Sequence, residues 1–174
     1  MLNVAILGCG RWGRNHLRTL SDLRDDGLVG QITVVDTSES ARDSAHLADC
    51  VSEDMEGVEA DLVIIATPSN LHADQARDLM SKGYHVLVEK PLGCCEAEAA
   101  QVLASAHENG RVMGVGLLLR FHPAAALAKK MLRSGELGRL ETLRFVRRTT
   151  REGPENGNVI EALGVHAIDL MCHI

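Results

Sequence analysis

Three glycines near the N-terminus have the spacing of a phosphate-binding loop. The stretch GCGRWG places Gly8, Gly10 and Gly13 in the pattern GxGxxG, between an apolar run and a helical segment. The first glycine of such a loop allows a tight turn, the second lets a pyrophosphate approach the backbone, and the third lets helix and strand pack closely. The helix N-terminus adds free N–H groups and a positive dipole end. The motif predicts a dinucleotide site; the alternative is a tight turn without a ligand.

An acidic residue ends the next apolar run. Asp36 closes QITVVD, at roughly the 20-residue distance that separates a ribose-binding carboxylate from the glycines. A carboxylate there accepts hydrogen bonds from the adenosine ribose and repels a 2′-phosphate, so we expect NAD rather than NADP as the cofactor. Arg42 could contact a phosphate, although a solvated position on a helix is the simpler interpretation.

Two further motifs also follow apolar runs. ATPSNLH spans residues 66–72 and VEKP spans residues 88–91. If both runs are strands of a parallel sheet, the motifs lie at its carboxyl edge, where ligands bind in open α/β sheets. Lys90 precedes a proline and is therefore held extended. The structural alternatives are a turn residue at Asn70, a helix start at His72 and an exposed lysine at a strand end.

Short apolar runs alternate with segments of helical period over residues 1–120. Predicted strands are NVAILG, QITVVD, DLVIIATP, HVLVEKP and RVMGVGLLL, and predicted helices cover residues 11–25, 39–48, 73–82 and 96–109. Repeated βα units with right-handed crossovers give a parallel sheet with helices on both faces. The fold class is therefore α/β, a Rossmann doubly wound parallel sheet, over residues 1–120.

The pattern changes in residues 121–174. HPAAALAKKMLRSGELG predicts a helix with Pro123 in its first turn and glycines after it, and RLETLRFVRRTT predicts one strand. A loop, REGPENGN, then leads to a last helical segment that carries His166. We expect these residues to be the start of an incomplete α+β domain. A single strand leaves open edges, so we also predict a homo-oligomer, such as a dimer, formed through it.

Composition narrows the class of protein. The net charge of −6 argues against a nucleic-acid partner or an anionic membrane, and 45% hydrophobic residues are typical of a globular chain. No apolar run is long enough to span a bilayer, and the N-terminus has no basic region or cleavage site of a signal peptide. The five cysteines lack metal-site spacing, so we expect reduced, mostly buried thiols in a cytoplasmic protein and no metal site.

Together the motifs resemble the Gfo/Idh/MocA family of glucose–fructose oxidoreductases and inositol dehydrogenases. The matching stretches are GCGRWG, ATPSNLH, EKP and GLLLRFHPA, with Asp36 and the looser SGELGRLETLRF and GVHAIDL. The resemblance implies a Rossmann domain followed by a substrate and dimerisation domain with an open, mostly antiparallel sheet. It implies oxidation of a secondary alcohol, or reduction of a ketone, on a sugar, cyclitol or nucleotide-sugar. UDP-sugar dehydrogenases are among the members that the chain resembles.

The resemblance also assigns residues to a site. The lysine of the family's EKP motif maps to Lys90, where it contacts the substrate hydroxyl and the nicotinamide ribose and would stabilise a developing alkoxide. His166 lies on the family's catalytic helix and could accept the hydroxyl proton, because an imidazole titrates near neutral pH. The predicted cofactor-binding residues are Gly8, Gly10, Arg11, Trp12, Gly13, Asp36, Thr67, Pro68, Asn70, His72, Glu89 and Lys90.

The catalytic helix departs from the family pattern. Relatives carry an Asp four residues before the His, and this chain has Ala162 there. Glu161 is adjacent, but one residue is about 100° around a helix. Asp169 follows His166 by one helical turn and could support its imidazole on the substrate side. His122 lies where relatives have a polar residue, so it could touch substrate or simply cap a helix.

Two observations keep other functions open. Family members are about twice as long as this chain, so most of the sheet that shapes the substrate pocket is expected to be absent. A dinucleotide-binding protein without catalysis, such as a sensor, a regulatory subunit or a degenerate relative, is the alternative to the enzyme, and two chains could also assemble one site. A basic stretch could meet the diphosphate of a nucleotide-sugar or form a solvated strand face; its members are Arg139, Arg144, Arg147, Arg148 and Arg151.

Overall fold

Six parallel strands form the sheet of this protein. The computed structural model describes residues 1–146 and 164–174. The strands are β1 (Leu2–Leu7), β2 (Val29–Val35), β3 (Cys50–Ser52), β4 (Leu62–Ile65), β5 (His85–Val88) and β6 (Met113–Val115). Their order is β3-β2-β1-β4-β5-β6, with every neighbouring pair parallel. This order has its topological switch point between β1 and β4, where doubly wound sheets bind ligands.

Helices connect the strands and continue beyond them. They are α1 (Arg11–Asp25), α2 (Glu39–Asp43), α3 (His72–Ser81), α4 (Glu96–Glu108), α5 (Pro123–Arg133) and α6 (Val165–His173), and short 3₁₀ turns cover Ser69–Leu71 and Leu118–Phe121. The chain divides into two compact units, Met1–Gly116 and Leu117–Ile174. The first unit contains the whole sheet, and the predicted Rossmann doubly wound fold is confirmed there.

The core is split by the sheet into two layers. Side chains alternate along a strand, so Val4 and Ile6 of β1 pack in one cluster with Leu17 and Leu20 of α1. Ala5, between them, faces the opposite cluster, which contains residues of α3 and α4 such as Leu79 and Val102. Burial on both faces explains why β1, β2 and β4 read as continuous apolar runs.

Three elements in the first unit differ most from the predictions. The strand β3 was missed, because three residues with exposed Cys50 and Val51 give no apolar pattern. The second helix was predicted to residue 48 but ends at Asp43; the Ser44 hydroxyl then donates to the carbonyl of Ala41, as a residue that competes with the helix backbone does. The fifth predicted strand is shortened to β6, because its partner β5 ends at Val88 and leaves the backbone beyond Gly116 without a strand to pair with.

Two side-chain predictions are also wrong. The helical period of residues 96–109 predicts that Val102 and Leu103 face inward; Val102 is fully buried, but Leu103 is 57% exposed. The cysteines were expected to be mostly buried; Cys9 is buried, and Cys50, Cys94, Cys95 and Cys172 are exposed. The exposed positions are at the edge strand β3, at the start of α4 and on the last turn of α6, where less of each side chain can be covered.

The second unit contains α5 and α6. The α5 helix begins as predicted, with Pro123 at its first position and the His122 ring accepting a hydrogen bond from the N–H of Ala124. The strand predicted over residues 139–150 is wrong for residues 139–146, which carry no strand. A strand needs a hydrogen-bonded neighbour, and the described part of this unit offers none. Residues 147–150, the predicted loop REGPENGN and Ala162 with Glu161 lie outside the described residues.

No helix among the described residues is long and apolar enough to cross a bilayer.

Candidate functional site

The glycine loop connects β1 to α1. It is tightly packed at Gly8 and Gly13 and open at Gly10. Gly8 has a φ of +93°, and a Cβ there would lie 2.9 Å from the backbone of Ala66 and Thr67. A Cβ on Gly13 would lie 2.0 Å from the carbonyl oxygen of Gly8, so α1 packs on the loop as only glycine permits. A Cβ on Gly10 would meet nothing within 4 Å. Gly10 is therefore the position of this loop that leaves room for a ligand to approach the backbone.

Asp36 lies at the end of β2 and orders the same loop. Its Oδ2 accepts a hydrogen bond of 2.6 Å from the N–H of Cys9, and its Oδ1 accepts one of 2.8 Å from the N–H of Ser38. Each carboxylate oxygen can accept more than one hydrogen bond, so Asp36 keeps capacity for a ribose hydroxyl. Arg42, expected in solvent, is half-buried and donates to the backbone carbonyl of Asp36 over 2.6 Å.

Cys9 is the buried cysteine in this loop. Its side chain is 1% exposed, and burial, followed by the nearby charge of Asp36, raises the pKa of the thiol. A raised pKa keeps sulfur in the poorly nucleophilic thiol form at neutral pH. Cys9 therefore contributes packing to the glycine loop rather than chemistry.

Backbone hydrogen bonds align the loops that follow neighbouring strands. The N–H of Gly8 donates to Val35, that of Ala66 to Leu7 and that of Glu89 to Ile65, over 2.8–2.9 Å. The carboxyl ends of β1, β2, β4 and β5 therefore form one edge. Most of the predicted cofactor residues lie on this edge: Gly8, Gly10, Gly13, Asp36, Thr67, Pro68, Asn70, Glu89 and Lys90. Arg11 and Trp12 lie in the first turn of α1, and both are exposed.

His72 lies behind that edge, at the start of α3. It is 1% exposed; its Nδ1 lies 2.7 Å from the carbonyl oxygen of Pro91 and its Nε2 lies 2.9 Å from that of Thr67. The ring thus links the loop after β4 to the loop after β5. In the same loop the Thr67 hydroxyl donates to the side chain of Gln75 on α3, and Asn70 is exposed.

Glu89 is a buried carboxylate beside Lys90. It is 7% exposed, and its Oε1 lies 2.7 Å from Nε2 of His16 on α1. Burial by itself would raise the pKa of Glu89, but the hydrogen bond and charge of His16, with a smaller contribution from Lys90, outweigh it and lower this pKa. Lys90 follows at once, half-buried, and its peptide bond to Pro91 is cis.

The other predicted residues lie in the second unit. His166 is 6% exposed in the first turn of α6, and Asp169 is one turn further along the helix. The carboxylate of Asp169 accepts hydrogen bonds of 2.9 and 3.1 Å from Nε of Arg120 and another from its Nη2, a bidentate ion pair. His122 caps α5 with its ring, which is the structural alternative that the sequence left open.

The functional importance of His16 does not follow from the sequence alone, although the helical period places this residue on one face of α1 with Leu20 and Leu23. A titratable group on a buried helix face needs a polar partner, and that is a usable signal. The partner, Glu89, is 73 residues away in the chain. Arg120 was missed in the same way, since its partner Asp169 is 49 residues away.

A six-stranded parallel sheet of this order, with GxGxxG after its first strand and an acid after its second, defines a dinucleotide-binding Rossmann domain. The chain belongs to the Gfo/Idh/MocA oxidoreductase family, whose model, described as an oxidoreductase family with an NAD-binding Rossmann fold, matches residues 2–117.

Individual relatives agree with this family. Inositol 2-dehydrogenase 2 of Saccharopolyspora erythraea is 30% identical over 177 residues, which cover 97% of this chain and 52% of that protein. The WlbA dehydrogenase of Bordetella pertussis, solved with NADH and UDP-GlcNAcA, is 29% identical and has a TM-score of 0.71. The match covers 79% of this chain and 43% of the WlbA chain.

A solved structure from Sinorhizobium meliloti 1021 has a TM-score of 0.87 at 21% identity, covers 99% of this chain and 55% of its own, and shows the fold alone. The chain spans about half the length of the curated relatives it matches.

Proposed function

We propose that this chain binds NAD(H) and forms the cofactor-binding part of a dehydrogenase. The observation that carries the proposal is the open space at Gly10, between a tightly packed first glycine and the N-terminus of α1. A pyrophosphate placed there would meet backbone N–H groups and the positive end of a 15-residue helix. Asp36, at the end of the neighbouring strand, would accept hydrogen bonds from the ribose hydroxyls, and its negative charge would repel a 2′-phosphate.

The reaction that fits is oxidation of a secondary alcohol or reduction of a ketone. A bound nicotinamide supplies the acceptor or donor of the hydride. Lys90, at the carboxyl end of β5, would stabilise the alkoxide that forms as the hydroxyl loses its proton. His166 would accept that proton, with Asp169 and Arg120 fixing the helix that carries it.

The substrate class is a polyhydroxylated molecule: a cyclitol, a sugar or a nucleotide-sugar. An inositol dehydrogenase and a UDP-sugar dehydrogenase among the relatives support this breadth. His122 is a weaker candidate for substrate contact, because its Nδ1 already accepts a hydrogen bond within α5.

Cofactor binding is tested by titrating NADH and following energy transfer from Trp12, the single tryptophan, which lies in the first turn of α1. Asp36→Ala removes a ribose partner and the hydrogen bond to the Cys9 N–H. It should weaken NADH binding about tenfold, near 1.4 kcal/mol. Asp43→Ala, at an exposed position that ends α2, is the matched control and should bind as the wild type does. Unchanged NADH affinity in Asp36→Ala would reject the ribose assignment.

A second candidate function is dinucleotide binding without catalysis. The specific observation is in the sequence: Ala162 stands where the catalytic helix of the family carries an Asp four residues before the His. One experiment distinguishes the two functions. NADH binding together with turnover on a panel of cyclitols, sugars and UDP-sugars supports the dehydrogenase; NADH binding without turnover on any of them supports the sensor or regulatory protein.

A further inference from the structure

The buried pair between His16 and Glu89 joins two parts of the site that the sequence keeps far apart. His16 is on α1, three residues beyond the glycine that packs this helix on the loop, and Glu89 immediately precedes Lys90. The Nε2–Oε1 distance is 2.7 Å, with 22% of the His16 side chain and 9% of the Glu89 side chain exposed. The proposed function gives neither residue a part in the chemistry.

The geometry around Glu89 leaves its carboxylate few other positions. Its second oxygen, Oε2, lies 3.3 Å from the N–H of Lys90, and a Cβ on Gly116 would lie 3.3 Å from that oxygen. The Glu89 backbone N–H donates to Ile65 of β4 over 2.9 Å. With Nε2 of His16 on Oε1, the carboxylate is oriented so that Oε2 faces the backbone N–H of Lys90.

We propose that His16 is a positioning residue for Lys90, acting through Glu89. The inference rests on the proposed function, because it concerns the lysine assigned to the reacting hydroxyl. The path is short: the helix that would carry the cofactor phosphates at its N-terminus holds Glu89, and Glu89 holds the backbone of Lys90. Cofactor binding and lysine placement are then properties of one connected structure rather than of two loops.

The test measures the reactivity of Lys90 directly, without substrate. The chain has four lysines, so brief acylation with a succinimidyl ester and peptide mass spectrometry report each one, and exposed Lys82 is the internal reference; the lysines are Lys82, Lys90, Lys129 and Lys130. In His16→Ala the acylation rate of Lys90 relative to Lys82 should rise about threefold or more, because Glu89 no longer holds the backbone that carries this half-buried side chain. His16→Gln, whose amide N–H can still donate to Oε1, should restore most of the wild-type ratio.

A structural effect of His16 that bypasses Glu89 would give a different result in a double-mutant cycle. If His16 acts through Glu89, the double variant His16→Ala/Glu89→Gln should have nearly the same Lys90-to-Lys82 acylation ratio as Glu89→Gln alone. Additive changes would overturn the inference. So would an unchanged ratio in a folded His16→Ala, or, if that variant unfolds, an unchanged ratio in Glu89→Gln. His46→Ala, at an exposed position before β3, is the control and should leave the ratio unchanged.

NADH in the same assay separates the two proposals. Slower acylation of Lys90 with NADH present supports the placement of the cofactor beside this lysine. Absence of protection in the wild type, combined with the expected effect of His16→Ala, would count against the proposed function and leave the positioning inference standing.

Discussion

At the scale of single residues, the site contains side chains that hold the backbone and side chains that could hold a ligand. Asp36 holds the backbone, since it accepts hydrogen bonds from the Cys9 and Ser38 N–H groups, and it is also the residue proposed to bind the ribose. His72 holds the backbone, because each ring nitrogen lies against a carbonyl oxygen. A motif residue is therefore not a ligand residue by default. ATPSNLH contributes a histidine that ties two loops together.

The five cysteines should separate into two classes of reactivity. Cys9 is buried in the glycine loop, and burial and Asp36 raise the pKa of its thiol, so less thiolate is present at a given pH. With iodoacetamide at mildly alkaline pH, Cys9 should react roughly tenfold or more slowly than the four exposed cysteines. Intact-mass time courses count the modified thiols, and peptide mapping locates them. A denatured sample, in which all five should react alike, is the control. Alkylation of Cys9 as fast as Cys50 would contradict the buried environment.

At the scale of helices and strands, patterns with a local cause were predictable, and pairings between distant residues were not. The glycine spacing, Pro123 at the start of α5 and the apolar runs of β1, β2 and β4 each follow from properties of a short stretch. The strand β3 could not be found this way, because its three residues are fixed by pairing with β2. Residues 139–146 show the converse: a strand-like sequence forms no strand in the part of the chain described here.

The connection between α3 and the loop after β5 should be a large contributor to the stability of the first unit. Replacing the buried His72 by Ala leaves two part-buried carbonyls, of Thr67 and Pro91, without their ring partner and opens a cavity. The free energy of unfolding should fall by roughly 2–4 kcal/mol. Urea unfolding followed by Trp12 fluorescence reports on this unit, because Trp12 lies on α1. His46→Ala, at an exposed site, should cost less than about 0.5 kcal/mol. A similarly small loss for His72→Ala would show that the ring bonds contribute little.

At the scale of the whole molecule, the parallel sheet determines where a site can be. With β1 and β4 adjacent at the switch point, the loops after four neighbouring strands come together, although their residues span positions 8–91 in the chain. The sequence predicted which residues belong to this edge, because each motif follows an apolar run. It did not predict the cross-connections behind the edge, from His16 to Glu89 and from His72 to Pro91, since nothing local specifies them.

The stability of the protein should depend on acid pH through Glu89. Its folded-state pKa is lowered, because His16 outweighs the effect of burial, so the ionised form is the one that the fold stabilises. A lowered pKa contributes stability that is fully present above the unfolded value, about 4.3 for a glutamate, and is lost as pH falls through the folded value. The wild type should therefore exceed Glu89→Gln by roughly 1–2 kcal/mol near neutral pH.

That difference should shrink as pH falls below about 4.3, because protonation of Glu89 makes the wild type resemble the amide variant. Urea unfolding of both proteins across this range, followed by Trp12 fluorescence, measures it. Glu53→Gln, at an exposed position before β4, controls for the loss of one negative charge from the surface. A difference that stayed constant down to strongly acid pH would mean that the Glu89 charge does not stabilise the fold, and that the His16 contact holds the side chain by its shape and hydrogen bond alone.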